Sequence, residues 1–151
     1  MELSDLYSEK ILEIMAQIPA MPRLACPDAS ARRVSPVCGS MIEVDLKVSD
    51  GRISAFGQAV SACALGQASA AIVAKQIVGS TPDEMRLVRT QMHAMLKAAG
   101  PFPADAKWAE LQCLAPVRDY PPRHSSTLLV FDAVVDALDV IERNSKSRLV
   151  D

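Results

Sequence analysis

An alternating run that ends on Asp50-Gly51 constrains this chain of 151 residues more than any other feature. Ile42, Val44, Leu46 and Val48 point one way, and Glu43, Asp45 and Lys47 the other, the period-2 pattern of a half-buried strand. Asp-Gly is a strong two-residue hairpin signal, so Arg52 to Val60 reads as the returning strand, with Gly57 as a bulge candidate. Cys38 lies twelve residues before Asp50, and Cys63 twelve residues after Gly51. Pairing centred on the turn therefore brings the two thiols side by side at the open end of the hairpin. Two buried free cysteines are the plainer alternative.

Helical patterns surround this hairpin. Ser4 is placed to cap an amphipathic helix to Ile18, whose apolar residues Ile11, Ile14, Met15 and Ile18 share a face. Pro19, Pro22, Pro27 and Pro36 mark the stretch before the first strand as loop. Leu65 to Val78 is an Ala-rich helix stopped by Gly79, and Thr81-Pro82-Asp83-Glu84 is a capping box opening a helix that ends near Gly100. Ala104 to Leu114 forms a further helix with Trp108, Leu111 and Leu114 on one side. Ser125 or Ser126 caps the last, which carries Leu128, Phe131, Val134, Val135, Leu138 and Ile141 at helical spacing. The expectation is an α+β domain over residues 1–144 with about five helices, and a polar, frayed tail over 145–151.

Composition narrows the function classes. The formal charge is −2 and aromatics make up 4%, so neither the phosphate-neutralising charge nor the stacking surface of a nucleic-acid binder is present. Ala55 to Val78 is the best candidate for a membrane span, yet it contains Gln58, Gln67, Lys75 and Gln76. The N-terminus is acidic and amphipathic, unlike a secretory signal, and a cytoplasmic location with reduced cysteines is expected. There is no G-x-x-x-x-G-K, G-x-G-x-x-G or H-E-x-x-H pattern, and the two histidines lack the spacing of a Cys/His hydrolase. Glu43 and Asp45 read as solvated surface, and His93, among Met92, Met95 and Leu96, as a structural side chain.

Cys63 directly precedes the Ala-rich helix, where unpaired N–H groups and the helix dipole suit negative charge, and Gly39 leaves the backbone beside Cys38 open. Two thiolates at a loop end make a soft site, suited to iron–sulfur or zinc chemistry.

Those residues also carry a resemblance. Leu6-Tyr7-Ser8-Glu9-Lys10, then Ser35-Pro36-Val37-Cys38-Gly39, the alternating strand, Asp50-Gly51, Cys63-Ala64-Leu65-Gly66-Gln67-Ala68-Ser69 and Arg123-His124-Ser125-Ser126-Thr127-Leu128 occur in order along nearly the whole chain. Together they resemble the U-type iron–sulfur cluster assembly scaffolds, the IscU/NifU N-terminal family. The resemblance implies an antiparallel three-stranded sheet with helices packed on it. It also implies a role in assembling or carrying an iron–sulfur cluster, of the [2Fe-2S] type, with a cysteine desulfurase and recipient apo-proteins as partners. Tyr120-Pro121-Pro122-Arg123 is faintly similar to the Pro-Pro-x-Lys segment read by chaperones in some scaffolds, and a rigid loop is the simpler reading.

Carried over by position, Cys38 and Cys63 match two cluster ligands. The family's Asp after Cys-Gly falls on Ser40, its third cysteine on Ser126, and the preceding His on Ser125, with His124 displaced by one. A neutral hydroxyl keeps its proton near neutrality and is a poor ligand beside thiolates. The deficit could be made up by His124, Cys26, Cys113, a second subunit or a small thiol. As a plain loop residue His124 would bind nothing, and Ser126 has an alternative role as a helix cap. Three functions are compatible with this reading: a cluster scaffold or carrier, a degenerate homologue acting as an interaction module or structural zinc protein, and a sulfur acceptor through Cys63.

Overall fold

The computed structural model describes residues 8–17, 21–36, 39–103 and 105–150, with side chains through residue 145. The expected cap Ser4 lies outside them. Helix α1 spans Glu9–Ala16, and Ser8 supplies its cap by accepting a hydrogen bond from the Ile11 N–H.

Three strands, β1 (Ala29–Val34), β2 (Met41–Ser49) and β3 (Arg52–Ser61), form one antiparallel sheet in the order β1-β2-β3. The hairpin turns where expected. Asp50 and Gly51 both adopt positive φ, 53° and 75°, between the paired Ser49 and Arg52, as a two-residue turn matched to strand twist requires.

Two sequence expectations about the sheet are corrected. The stretch read as loop before Pro36 contains β1, which pairs Ala29 with Leu46 and Val34 with Met41. The irregularity in the hairpin lies where Lys47 pairs with Ala55 and Val48 with Ile53, leaving Ser54 as the extra residue. Gly57 pairs regularly with Asp45 and serves another purpose: a Cβ there would stand 2.4 Å from the Pro22 carbonyl oxygen. The chain over residues 21–24 thus crosses directly on β3, and the Gln58 N–H donates to the Met21 carbonyl at 2.9 Å.

That crossing also overturns the reading of Asp45 as solvated. Ile42, Val44 and Leu46 are buried beneath helices, and Asp45, on the opposite face, is equally buried by the 21–24 segment. Its carboxylate accepts from Arg23 Nε (2.6 Å) and Nη2 (2.9 Å), Ser30 Oγ (2.6 Å) and the Leu24 N–H (3.0 Å). These bonds hold the carboxyl down at about 2, below its ordinary 3.8, Arg23 contributing most. Glu43 is exposed in part and takes the third guanidinium nitrogen, Nη1, at 2.9 Å.

Helix α2 (Ala64–Gln76) is the central helix, packed against α1 and the last helix. Leu65, Ala68, Ala70, Ala71, Ile72 and Val73 are fully buried, and side chains this small let helices approach on several sides. Helix α3 (Pro82–Ala98) is capped by Thr81, whose Oγ1 accepts from the Glu84 N–H at 3.1 Å, and it ends at Ala99 in the left-handed conformation (φ 54°). The Glu84 carboxylate does not complete the reciprocal half of the box. It accepts from Trp108 Nε1 at 2.9 Å and pairs with Lys107 Nζ at 3.0 Å. Those contacts tie α3 to Ala106–Asp119, a run of 3-10 turns begun by the Asp105 cap in which Trp108, Leu111 and Leu114 are buried.

A short 3-10 turn, Pro121–Arg123, leads without a break into α4 (His124–Val150). Helix α4 packs on β1, β2, α2 and α3, and it extends to Val150, within the segment expected to be a frayed tail. Among the described residues, no helix is long and apolar enough to cross a membrane.

Candidate functional site

Three chain segments converge at the open end of the hairpin. Met41 pairs with Ser61 at the last rung, so the chain leaves the sheet through Ser40 on one side and Ala62-Cys63 on the other. Cys63 is the N-cap residue of α2, in extended conformation, and its side chain makes no cap bond. Its N–H donates to Ser40 Oγ at 3.4 Å, a long contact that nonetheless brings the residue matching the family Asp onto the Cys63 backbone.

The third segment is the first turn of α4. Ser126 Oγ lies 3.1 Å from Cys63 Sγ, and Ser125 Oγ lies 2.6 Å from Ser35 Oγ. Neither serine caps the helix, because the Pro121-Pro122 turn starts the helical path earlier and places both inside it. Ser35, Ser40 and Ser126 are buried, while Cys63 is half-buried. Contact between the two helix starts is close. A Cβ on Gly66 would stand 2.8 Å from the Ala62 Cβ and 3.3 Å from the Ser126 carbonyl oxygen, so glycine is what lets α4 reach Cys63.

The loop from β1 to β2 is closed at its ends. The Ser35 N–H donates to the Ser40 carbonyl (2.8 Å), and the Gly39 N–H to the Ser35 carbonyl (2.9 Å). Cys38 falls outside the described residues. Gly39 is exposed with φ 72°, and among the described residues none lies within 4 Å of the position a Cβ would take.

The other candidates fall in different surroundings. His124 opens α4 but is buried rather than a surface loop residue, and its Nε2 faces the carbonyls of Val117 (3.0 Å) and Arg118 (3.1 Å). Carbonyls only accept, so Nε2 donates to them and is not free to ligate a metal. Cys113 is half-buried in the 3-10 run beside Glu110, and burial pushes its thiol up to about 11. Cys26 is exposed on the loop before β1. His93 is tied into α3–α4 packing by Asp132 at 2.8 Å, which also accepts from Arg89 at 2.7 Å. Among the described residues, no three His, Cys, Asp or Glu side chains are grouped to hold a metal ion. The sequence reading quoted Ser35 and Gly66 only within the stretches that carry the resemblance and gave neither a role, although the Ser-Pro pair and the glycine within a helical pattern both flagged unusual local structure.

A three-stranded antiparallel sheet whose open end meets the starts of two helices defines the U-type scaffold fold. A putative iron–sulfur cluster assembly scaffold protein for the SUF system, from Fervidobacterium islandicum, has the same fold. Its TM-score is 0.81, at 20% identity over 91% of this chain and 99% of that one. A nitrogen-fixing NifU-like protein (N-terminal) from Brucella abortus is far more similar, with TM-score 0.90 and 45% identity over 93% of this chain and 97% of that one. The chain belongs to the IscU/NifU N-terminal-like scaffold family. The iron-sulfur cluster assembly scaffold protein IscU of Streptococcus pyogenes serotype M1 is 23% identical over 104 residues, 69% of this chain. That match spans 65% of the curated relative's own length. No family model matches the sequence.

Proposed function

We propose that this protein is a non-catalytic scaffold or carrier of iron–sulfur units. Iron or a [2Fe-2S] cluster is its cargo, held through Cys38 and Cys63, while Ser40 and Ser126 stand where the family has Asp and a third cysteine. The observation that carries the proposal is the 3.1 Å contact between Cys63 Sγ and Ser126 Oγ, which joins two positions the resemblance assigns to one ligand set. The 45% identity to a NifU-like domain supports the same reading. On it, sulfur comes from a cysteine desulfurase and the product passes to recipient apo-proteins. Anaerobic reconstitution with iron and sulfide tests it. A visible sulfur-to-iron charge-transfer absorption is expected, lost in Cys38→Ala and in Cys63→Ala; a colourless, iron-free product overturns it.

A second reading is favoured by the two serines themselves. Replacing an anionic and a thiolate ligand by neutral hydroxyls weakens any hold on metal. The protein would then be an interaction module of the assembly machinery, or a structural zinc protein. Metal analysis of the purified chain separates these, since zinc that survives dialysis marks the second form.

A further inference from the structure

The two edges of the sheet are finished differently. On β3 the Gln58 N–H donates to the Met21 carbonyl at 2.9 Å. Further along, the Ile53 N–H donates to the Ser80 carbonyl and the Ile53 carbonyl accepts from the Gly79 N–H, both at 2.8 Å. Strand β1 has no such cover among the described residues. Its register with β2 pairs Ala29 with Leu46, Ala31 with Val44 and Arg33 with Ile42, and the 2.8 Å bond from the Ser35 N–H to the Ser40 carbonyl extends it. Bonded residues alternate in an antiparallel ladder, so Ala29, Ala31, Arg33 and Ser35 bond inward. Ser30, Arg32 and Val34 then turn their N–H and C=O groups outward. An open row of this kind is a template for another strand. We propose that the free edge of β1 docks an extended acidic segment of a partner protein, added antiparallel as a fourth strand.

Charge selects the occupant. Arg32 stands across from Glu43, but that carboxylate already takes Arg23 Nη1 at 2.9 Å. Arg32 is exposed and forms no ion pair among the described residues, whereas Arg33, on the helix side, is committed to Asp136. Opposite charges directly across a strand pair are favourable, and like charges are unfavourable. A carboxylate across from Arg32 on a fourth strand meets that demand. A second copy does not, because two β1 edges paired over their full length set Arg32 against Arg32. The inner edge shows the pattern that fits, with Val44 across from Ala31, Glu43 across from Arg32 and Ile42 across from Arg33. Repeated on the outer edge, this pattern sends its apolar residues to the helix side. There Ala31 lines a cleft of about 450 Å³ with Val140 and Arg143 of α4. Val34, 50% exposed, ends the edge next to Ser35, whose Oγ lies 2.6 Å from Ser125 Oγ in the first turn of α4. A docked segment therefore finishes beside the candidate site, and its docking needs no metal there.

The test is an amide NMR titration of the isotope-labelled, metal-free chain with a synthetic peptide copying Met41–Ser49. A control peptide carries Lys in place of Glu43 and Asp45. The N–H signals of Ser30, Arg32 and Val34 are expected to move most and to slow in hydrogen exchange. Those of Ala31 and Arg33, already bonded to β2, should change little. The control peptide and Arg32→Glu should each weaken binding about tenfold, since attraction becomes repulsion, and Arg32→Lys should retain most of it. Absence of binding, perturbation centred elsewhere, equal effects at inward and outward N–H groups, or equal binding of the two peptides overturns the proposal. So does a dimer, seen by sedimentation without peptide, that protects Ser30, Arg32 and Val34, which would give the edge to a second copy. Because no metal is present, none of these outcomes bears on the cluster reading. Far-ultraviolet circular dichroism verifies that each variant is folded.

Discussion

Arg23 holds both carboxylate oxygens of Asp45, through Nε at 2.6 Å and Nη2 at 2.9 Å, across 22 residues of sequence. The pair fastens the proline-rich crossing segment onto the sheet face that α4 does not cover. Because Asp45 is fully buried while Arg23 is partly exposed, the carboxylate is the member whose partners matter. Asp45→Asn should cost about 1–3 kcal/mol, the range for disturbing buried hydrogen-bonded groups. Urea denaturation at neutral pH measures it.

Asp45 also sets a pH dependence. Its folded value of about 2 lies below the ordinary 3.8, so the unfolded chain takes up the proton first as pH falls. The stabilisation is complete above pH ~5 and drains away as pH drops toward 2. Thermal melts of wild type should therefore lose more between pH 5 and 3 than those of Asp45→Asn. Parallel losses in the two proteins would contradict this assignment.

Gly57→Ala tests the same crossing from the other side. The new methyl would meet the Pro22 carbonyl oxygen at 2.4 Å, and backbone cannot yield as a flexible side chain does. A loss of roughly 1–3 kcal/mol is expected from overpacking. In a double-mutant cycle with Asp45→Asn the double variant should lose less than the sum of the two single losses, since each lifts the same segment.

Trp108 is the sole tryptophan, so its fluorescence reports one site. It is fully buried, with Nε1 donating to Glu84 at 2.9 Å. Glu84→Ala leaves that donor unpaired and removes the Lys107 ion pair, and should cost about 1–3 kcal/mol. Glu84→Gln keeps an acceptor oxygen and should recover much of the loss. Emission-monitored unfolding compares the two directly.

Gly66→Ala probes the candidate site. Alanine gains up to about 1 kcal/mol of helix propensity over glycine. The new methyl would crowd the Ala62 Cβ at 2.8 Å, just before α2, and the Ser126 carbonyl oxygen of α4 at 3.3 Å, and overpacking costs about 1–3 kcal/mol. The larger effect should win, lowering the melting temperature and the iron held after reconstitution.

What could be read from sequence follows from what periodicity reports. The hairpin, the Thr81 cap and the apolar face of α4 were legible, because turn chemistry and periodicity are local. Strand β1 was not, since Ala29–Val34 is an edge strand with only Ala29 buried, and its two arginines hide any alternation. Asp45 carries the same polar signal whether solvated or buried, and the difference lies in Arg23, far away in the chain. At the site, the resemblance identified Ser126 with the missing cysteine, and its contact with Cys63 is a tertiary fact. Ser125 and Ser126 looked like caps because serine favours helix starts; the two prolines before them begin the turn instead.

On the proposed function, Cys63, at the meeting of β3, α2 and α4, would grip iron–sulfur cargo. Iron and acid-labile sulfide per chain, measured after anaerobic reconstitution with glutathione present, test it most directly when wild type is compared with Cys63→Ala. Iron and sulfide in equal amounts are expected on wild type and neither on the variant. Equal loading of both proteins, or none on wild type, would contradict it.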